Sequence, residues 1–519
     1  MSLKSEVYSL LNNAQRLCRD CPEAAELSES LEEMRKRLEI PLRVAVVGIM
    51  KAGKSTFMNA LMGADVLYTG DLETTYTVGW FQYAEHPSIT VCFRNGEKIE
   101  APFEDLEKWS VRAFEKENPR IHDVQYLIIH YPSEVLKQLE FIDTPGLNSV
   151  YGTDAQNTLD FLSIKGSEDT LYEASMADAV IYAFSRSTAG FDRDILTAFH
   201  SGGGNMSSPI NSIGILTKVD ASGIWDIFGE QSPVEAAQAV TSSIMTNADM
   251  KNLLFSVFPV CAKVMEGYTQ LTAEDWKVLR IIAQVPPDDL IDLLYDAHQF
   301  AVGTEEEFQQ LGDTDARKRL MNLIGQYGTL EIAHQLRAGK AQDQIGDILQ
   351  EKCGVKAIRE ILLRHFGNRT FLIKSRYIFS RIRSLTQEIR KNLDKSSHLY
   401  HVCEQISEEI EGLMSSVQTL KELKILQMYY NGQIQFMDEE EKQDFLRVTG
   451  EYGRSAETRL GMPEGSSIAA MEQTAKEKAA LWHGKSSGWM MPGSYVEAAA
   501  TLARSYEQMY YHLNALNEE

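Results

Sequence analysis

The sequence predicts an α/β domain joined to an elongated all-α helical bundle. Three observations predict it. Apolar runs of strand length alternate with helical patterns from residue 43 to about 263. From Glu266 to Glu519 the pattern is almost wholly helical, with few β-branched runs. Near the start of the alternating region, the buried-strand pattern Arg43-Val44-Ala45-Val46-Val47 runs through a glycine loop into the helical pattern Phe57–Met62.

Composition narrows the classes. The 519 residues suffice for two or three domains, and 44% hydrophobic with 24% charged residues describes a globular chain. A net charge of −23 argues against nucleic acid as a partner and against unaided adsorption to anionic lipid. The start, Met1-Ser2-Leu3-Lys4-Ser5-Glu6, lacks the charged and apolar regions of a signal peptide, and no run nears the ~18 apolar residues of a membrane span. Six cysteines suit a reducing cytosol. Cys18 and Cys21 form a CxxC without a second pair at zinc spacing, so two helix residues one turn apart is the simpler reading; His398, His401 and Cys403 are read the same way.

Residues 5–38 are predicted helical. Leu10, Leu11, Ala14 and Leu17, then Leu27, Leu31, Met34 and Leu38, recur at helical spacing, and Pro22 divides the run. Such a hairpin is foreign to a minimal nucleotide domain, so it is expected to pack on helices from the far end of the chain.

Gly48-Ile49-Met50-Lys51-Ala52-Gly53-Lys54-Ser55-Thr56 then matches GxxxxGK[ST] in the strand–loop–helix context that the motif requires. Gly48 and Gly53 permit backbone angles closed to other residues. The loop N–H groups would cradle a β-phosphate at a helix N-terminus. Lys54 would place its charge on the β- and γ-phosphates, and the Ser55 hydroxyl would sit on Mg²⁺. Downstream, Leu67–Val78 combines a glycine with clustered threonines before a strand, as in a loop whose threonine reaches Mg²⁺ when the γ-phosphate is present. Thr75 is favoured, with Thr74 as the alternative. A strand pair over Tyr76–Tyr83 and Ile89–Phe93 with a turn at Asn95-Gly96, a helix over Glu104–Glu117 and a strand over Val124–Tyr131 are expected next.

Leu139–Ile142 is an apolar strand ending in Asp143-Thr144-Pro145-Gly146. Asp143 would hold Mg²⁺ through water, and the Gly146 N–H would sense the γ-phosphate. Residue 147 is Leu, so no glutamine beside this glycine orients water. Two more core strands, Ala177–Phe184 and Ile213–Leu216, lead to Thr217-Lys218-Val219-Asp220. The Asp220 carboxylate can accept from both guanine N1–H and the exocyclic amine, which adenine does not offer in that geometry, and Lys218 would lie over the base. A last strand, Phe255–Val260, enters Cys261-Ala262-Lys263, which matches the loop whose backbone meets the guanine oxygen. The ordered set points to an α/β P-loop GTPase domain, with GTP as substrate, GDP as product and Mg²⁺ as cofactor.

In the helical half, apolar positions from Ile358 to Leu385 suggest one helix over 356–393, roughly 57 Å long if continuous. That length suits a bundle or stalk. The stretch is locally basic, including Arg359, Arg364, Arg369, Lys374, Arg376, Arg383 and Arg390; it would pair with the acidic helix Glu404–Glu411 or meet lipid or a partner. The loop Gly484–Gly493 carries Trp489, Met490 and Met491, which either fold back on the bundle or wedge into a membrane interface.

These motifs resemble the dynamin superfamily, specifically bacterial dynamin-like proteins. Gly48–Thr56 is similar to that group's KAGKST loop, Leu67-Tyr68-Thr69-Gly70 with Glu73-Thr74-Thr75 to its LPTG…PTT switch with Tyr68 departing from proline, and Asp143–Asn148 to its DTPGLN. Phe258–Lys263, Leu271–Trp276, Tyr327-Gly328 and Gly354–Glu360 resemble the isoniazid-inducible dynamin-like proteins of actinobacteria. The resemblance implies a GTPase head on a helical neck and trunk, heads that associate with nucleotide, and membrane contact at a trunk tip. Eukaryotic dynamins place a serine, which helps hold a catalytic monovalent cation, where this chain has Lys51. The Lys51 ammonium is therefore expected to supply that charge in cis. Arg186 and Arg193 are finger candidates by charge alone.

The resulting expectation is a helical hairpin over 1–40 packing in the neck, a GTPase domain over 41–265 and a helical bundle over 266–519. Its function would be GTP hydrolysis with nucleotide-dependent head association, as a head-to-head dimer or a homo- or hetero-oligomer. Association would be coupled to membrane lipid at the inner face of the cell membrane, reached from the cytoplasm. The alternatives are a soluble regulatory GTPase whose helices bind a protein, and a nucleotide-dependent scaffold with negligible turnover.

Overall fold

The computed structural model describes residues 3–49, 51–69, 77–111, 114–144, 177–185, 211–247, 250, 253–367, 369–430, 433–453, 455–488 and 491–518. Two helices open the chain, α1 (Leu3–Arg19) and α2 (Ala25–Arg37), divided at Pro22. A sheet follows: β1 (Leu42–Gly48), β2 (Val78–Tyr83), β3 (Ser88–Phe93), β4 (Lys98–Ala101), β5 (Val124–Tyr131), β6 (Leu139–Asp143), β7 (Ala179–Phe184), β8 (Ser212–Leu216) and β9 (Val257–Pro259). Their order is β4-β3-β5-β2-β6-β1-β7-β8-β9. The strands β6, β1, β7, β8 and β9 run parallel, while β2 is antiparallel to β6 and parallel to β5. Every residue of β1, β6, β7 and β8 is buried, as expected of a parallel sheet covered on both faces.

Helix α3 (Lys54–Met62) follows the β1 loop, and α4 (Pro233–Thr246) precedes β9. The capping box of α4, Ser232 with Glu235, starts it on the residues that a capping signature requires. Next come α5 (Ala262–Thr269), α6 (Ala273–Ile282), α7 (Thr314–Leu323), α8 (Gly325–Arg337) and α9 (Gln342–Lys352). The remainder holds α10 (Val355–Ile361), α11 (Thr370–Lys391), α12 (His398–Ser416), α13 (Gln418–Tyr430), α14 (Ile468–Ser486) and α15 (Gly493–Glu518), with shorter helices between.

Three expectations are corrected. Asn95-Gly96 turns β3 into β4, which the sequence did not suggest, and β2 pairs with β5 and β6 instead of β3. The helix expected over Glu104–Glu117 is confined to Leu106–Ser110 after a 3₁₀ turn; β-branched Val111 is extended, and the Trp109 carbonyl accepts from the Thr77 hydroxyl at 3.0 Å. The helix expected over 356–393 is broken by a π-helical turn, Leu362–Gly367. That widened turn sets buried His365 in a stack on Phe255, with ring centroids 4.0 Å apart, so α11 is 22 residues and roughly 33 Å long.

The α1–α2 hairpin meets residues distant in sequence. Asn13 Nδ2 donates to Glu409 Oε1 on α12 at 2.5 Å, and the Arg37 guanidinium lies 4.1 Å over the Tyr377 ring on α11. At the end of the sheet where β1 and β7 begin, Arg37 donates twice to Asp178 Oδ1, at 3.0 and 2.8 Å, and the Arg43 N–H donates to Oδ2 at 3.0 Å. Lys374 of α11, with no exposed surface, stands 3.9 Å from Oδ2 and donates to the Arg37, Ile40 and Pro41 carbonyls at 2.8, 2.6 and 2.9 Å. Hairpin, sheet and α11 thus share one buried charge cluster.

A second charged joint lies at the π-helical turn. Glu451 faces Arg369 at 2.5 Å and His365 at 3.4 Å. Burial pushes the Glu451 carboxyl up, but the Arg369 guanidinium and His365 outweigh it and hold it at about 2. Its folded value lies below its unfolded value, so its stabilisation is complete above pH ~4.5 and is lost as pH falls towards 2. Glu451→Gln is expected to remove about 3 kcal/mol at neutral pH. Acid titration of intrinsic fluorescence checks this: the wild type should lose stability relative to the variant between pH 4.5 and 2, and parallel curves would show that Glu451 is not the group titrating.

Candidate functional site

The ends of β1, β6 and β8 carry the predicted motifs to one place. Only glycine fits at two points of the β1–α3 loop. A Cβ on Gly48 would stand 2.6 Å from the Ala183 carbonyl oxygen of β7. Gly53 has φ +81° and caps α3, and a Cβ there would press on Thr217 at 3.3 Å. Lys54 and Ser55 begin α3, whose unpaired N–H groups favour anions. Lys54 Nζ lies 3.2 Å from both the Gly48 and Ile49 carbonyls. Burial holds its ammonium down at about 8, against the pull of Asp143.

Asp143, the last residue of β6, has no exposed surface. Its Oδ2 accepts from Ser55 Oγ at 3.2 Å, and among the described residues its Oδ1 has no hydrogen-bond partner. Burial raises its carboxyl to about 6, opposed by Lys54 and by Ser55. An orphaned carboxylate oxygen beside a hydroxyl, next to a phosphate-binding loop, is an all-oxygen donor set suited to Mg²⁺. Thr144 Oγ1 fixes the exit of β6 by donating to the Val46 carbonyl at 2.8 Å.

The guanine motif is tied to the same loop. Thr217 is buried, and its hydroxyl lies 2.6 Å from the Ala52 carbonyl and 2.9 Å from that of Phe184, so its side chain braces the phosphate loop from behind. Lys218 and Asp220 project beyond the strand, Lys218 exposed and Asp220 half-buried. Ala262 and Lys263 form the first turn of α5; Ala262 is buried and Lys263 Nζ reaches the Met321 carbonyl at 3.5 Å. Among the described residues, the non-glycine residues with positive φ are Lys51 (60°) and Lys218 (54°), one in each nucleotide motif. Left-handed backbone at a lysine is strained and is held by its surroundings. Lys51 is exposed on the loop.

Several expected residues fall elsewhere. Met50, Thr74, Thr75, Gly146, Arg186, Arg193, Trp489 and Met490 lie outside the described residues. Met491 is half-buried against the core. Thr56 lies in the first turn of α3, half-buried. Sequence reasoning missed Glu266 and Asn59. The signal for Asn59 is a lone amide among Phe57, Met58, Ala60, Leu61 and Met62, all buried. No cluster of three or more His, Cys, Asp or Glu side chains that could hold a metal occurs among the described residues.

Residues 44–218 match the model of the Dynamin family. The isoniazid-induced protein IniC of Mycobacterium tuberculosis is 23% identical over 521 aligned positions, covering 99% of this chain and 100% of that protein. A bacterial dynamin-like protein of Nostoc punctiforme is 32% identical over 126 residues, 22% of this chain and 18% of the relative. A solved bacterial dynamin, part of an oligomerised pair described as a mechanism for long range sensing and tethering of membranes, aligns with 100% of this chain and 76% of its own at 14% identity, with a TM-score of 0.35. A strand-framed phosphate loop, a buried aspartate beside its serine and a braced TKVD accompany a Dynamin-family match over residues 44–218, so the head is an enzyme that hydrolyses GTP, similar to the heads of bacterial dynamin-like proteins.

Proposed function

We propose that this chain hydrolyses GTP in a head whose nucleotide state governs association with a second head, and that association is coupled to membrane binding or remodelling on the cytoplasmic side of the cell membrane. The observation carrying the reading is the Ser55–Asp143 pair with its orphaned oxygen, set beside a loop that only glycine can form. Ser55, Asp143 and Thr75 would hold Mg²⁺, which when bound neutralises charge on the β- and γ-phosphates. Lys54 and the loop N–H groups orient the phosphates, Lys51 places a further positive charge beside them, and Asp220 with Lys218 selects guanine, with Ala262 and Lys263 at its edge. With Leu147 in place of a glutamine, a partner head is a natural source of the water-orienting group. The proposed division is a hairpin over 1–40, a GTPase domain over 41–265 and a neck and trunk over 266–519, with Trp489, Met490 and Met491 as the membrane contact.

One observation favours a GTPase switch whose helices bind protein. The basic side chains of α10 and α11 are largely engaged within the molecule: Arg383 faces Glu411 and Arg390 faces Glu404, each at 3.4 Å, Lys374 is buried on Asp178, and Arg359 donates to the Leu61 carbonyl at 2.9 Å. No helix among the described residues is long and apolar enough to cross a membrane.

GTP turnover at several protein concentrations, with and without anionic liposomes and with Lys54→Ala as blank, separates the readings. Specific activity should rise with protein concentration and again with liposomes. Activity indifferent to both would leave the switch, and absent turnover would leave the scaffold.

A further inference from the structure

Asn59, one turn beyond Ser55 on α3, works as an adaptor for the segment that follows the helix. Its Oδ1 accepts from the Val66 and Leu67 N–H groups at 3.1 and 2.7 Å, and its Nδ2 donates to the Leu67 carbonyl at 2.7 Å. The same Nδ2 lies 3.3 Å from Asp65 Oδ1 and 2.6 Å from Glu266 Oε1. Thr69 Oγ1 donates to that Oε1 at 2.9 Å. One carboxylate, 7% exposed, therefore receives donors from α3, the helix that begins at the phosphate loop, and from the segment entering the threonine-rich stretch.

Glu266 itself belongs to α5, the helix that opens with Ala262-Lys263 at the guanine edge. The next residue, Gly267, has no room for a side chain: a Cβ would fall 2.1 Å from the Leu323 carbonyl at the end of α7. The α7–α8 junction also approaches the guanine motif, since a Cβ on Gly325 would lie 3.9 Å from Asp220 Oδ2. Glu266 thus stands where the phosphate side, the guanine side and the following helices meet. An apolar residue there would strand several buried donors, whereas a carboxylate can satisfy them all.

We propose that Glu266 is a positioning residue for GTP hydrolysis: it fixes Val66–Thr69 and α5 to the phosphate-binding helix α3, keeping both halves of the pocket in one register. This rests on the reading of the head as a hydrolytic GTPase. Because Glu266 supports residues beside the site, its loss should fall on turnover, which is sensitive to displacements near 1 Å, more than on GDP binding, which the phosphate loop and Asp220 provide.

The test measures kcat for GTP, Kd for a fluorescent GDP analogue and the thermal transition of the full chain with Glu266→Ala, Glu266→Gln and Thr69→Ala. Glu266→Ala should lower kcat at least tenfold while GDP Kd changes less than threefold. Glu266→Gln keeps an acceptor oxygen and should recover kcat to within about threefold of wild type. Should Glu266→Ala fail to fold, Thr69→Ala removes one donor without emptying the site and should lower kcat about threefold at unchanged GDP affinity. Unchanged kcat in the alanine variants overturns the assignment. So does a parallel fall of kcat, GDP affinity and melting temperature with glutamine no better than alanine, which would mark a purely structural residue. A wild-type chain that binds GTP without turnover overturns the underlying reading, and this assignment with it.

Discussion

Asp178→Ala is expected to destabilise the protein by about 3–5 kcal/mol, because it leaves buried cations without their shared anion. Asp178 accepts from the Arg37 guanidinium and the Arg43 N–H and faces Lys374, and all three residues are buried. Burial alone would raise the Asp178 carboxyl; Arg37 and Lys374 reverse that and hold it below the usual range. Asp178→Asn keeps the acceptor but not the charge and should fall between. Urea unfolding followed at the first transition measures the effect. A change under ~1 kcal/mol would mean that desolvation of the cluster already offsets its attraction.

Lys54→Met should move activity and stability in opposite directions. Turnover should drop by at least ~10²–10³-fold, the usual scale for losing one preorganised charge from a transition state. The nucleotide-free protein should nevertheless melt higher. Burial depresses the Lys54 ammonium from 10.5 to about 8, so its favourable contribution belongs to high pH and is lost as pH falls through 8. At pH 7 the charged group disfavours the fold by about 3 kcal/mol, which methionine of similar shape removes. The stability gap between variant and wild type should shrink from pH 7 to 9.5. A lower melting temperature for Lys54→Met would show that its contacts to the Gly48 and Ile49 carbonyls outweigh desolvation.

What could be read from the sequence was what local chemistry specifies. Gly48, Gly53, Lys54 and Ser55 are fixed by spacing within one loop, and Asp143 by its place at the end of an apolar strand, so these were legible. Thr217 is legible as the first residue of TKVD, but not the reach of its hydroxyl to the Ala52 carbonyl, 165 residues away. Glu266 carries no local signal, because a glutamate on a short helix looks solvent-facing until Asn59 and Thr69 arrive from another part of the chain. The helix expected over Glu104–Glu117 failed for the same reason, since Thr77 claims the Trp109 carbonyl. The basic character of α11 was visible, but which of its cations would be buried was not: Lys374 and Arg383 differ only in what the fold brings to them.

Lys374 also bears on how the chain is made. Its ammonium closes over the Ile40 carbonyl, 334 residues earlier. At ~5–20 residues per second, roughly 15–70 s of synthesis separate these two positions. For that interval the nascent hairpin has its Arg37 and its three carbonyls but not the amine that joins them, and the apolar faces of α1 and α2 await α11 and α12. The head can assemble its sheet during that time, whereas the hairpin must wait on the ribosome. Ribosome-bound chains stalled before residue 374 should therefore present the first 40 residues to chaperones and proteases, and chains released after it should not.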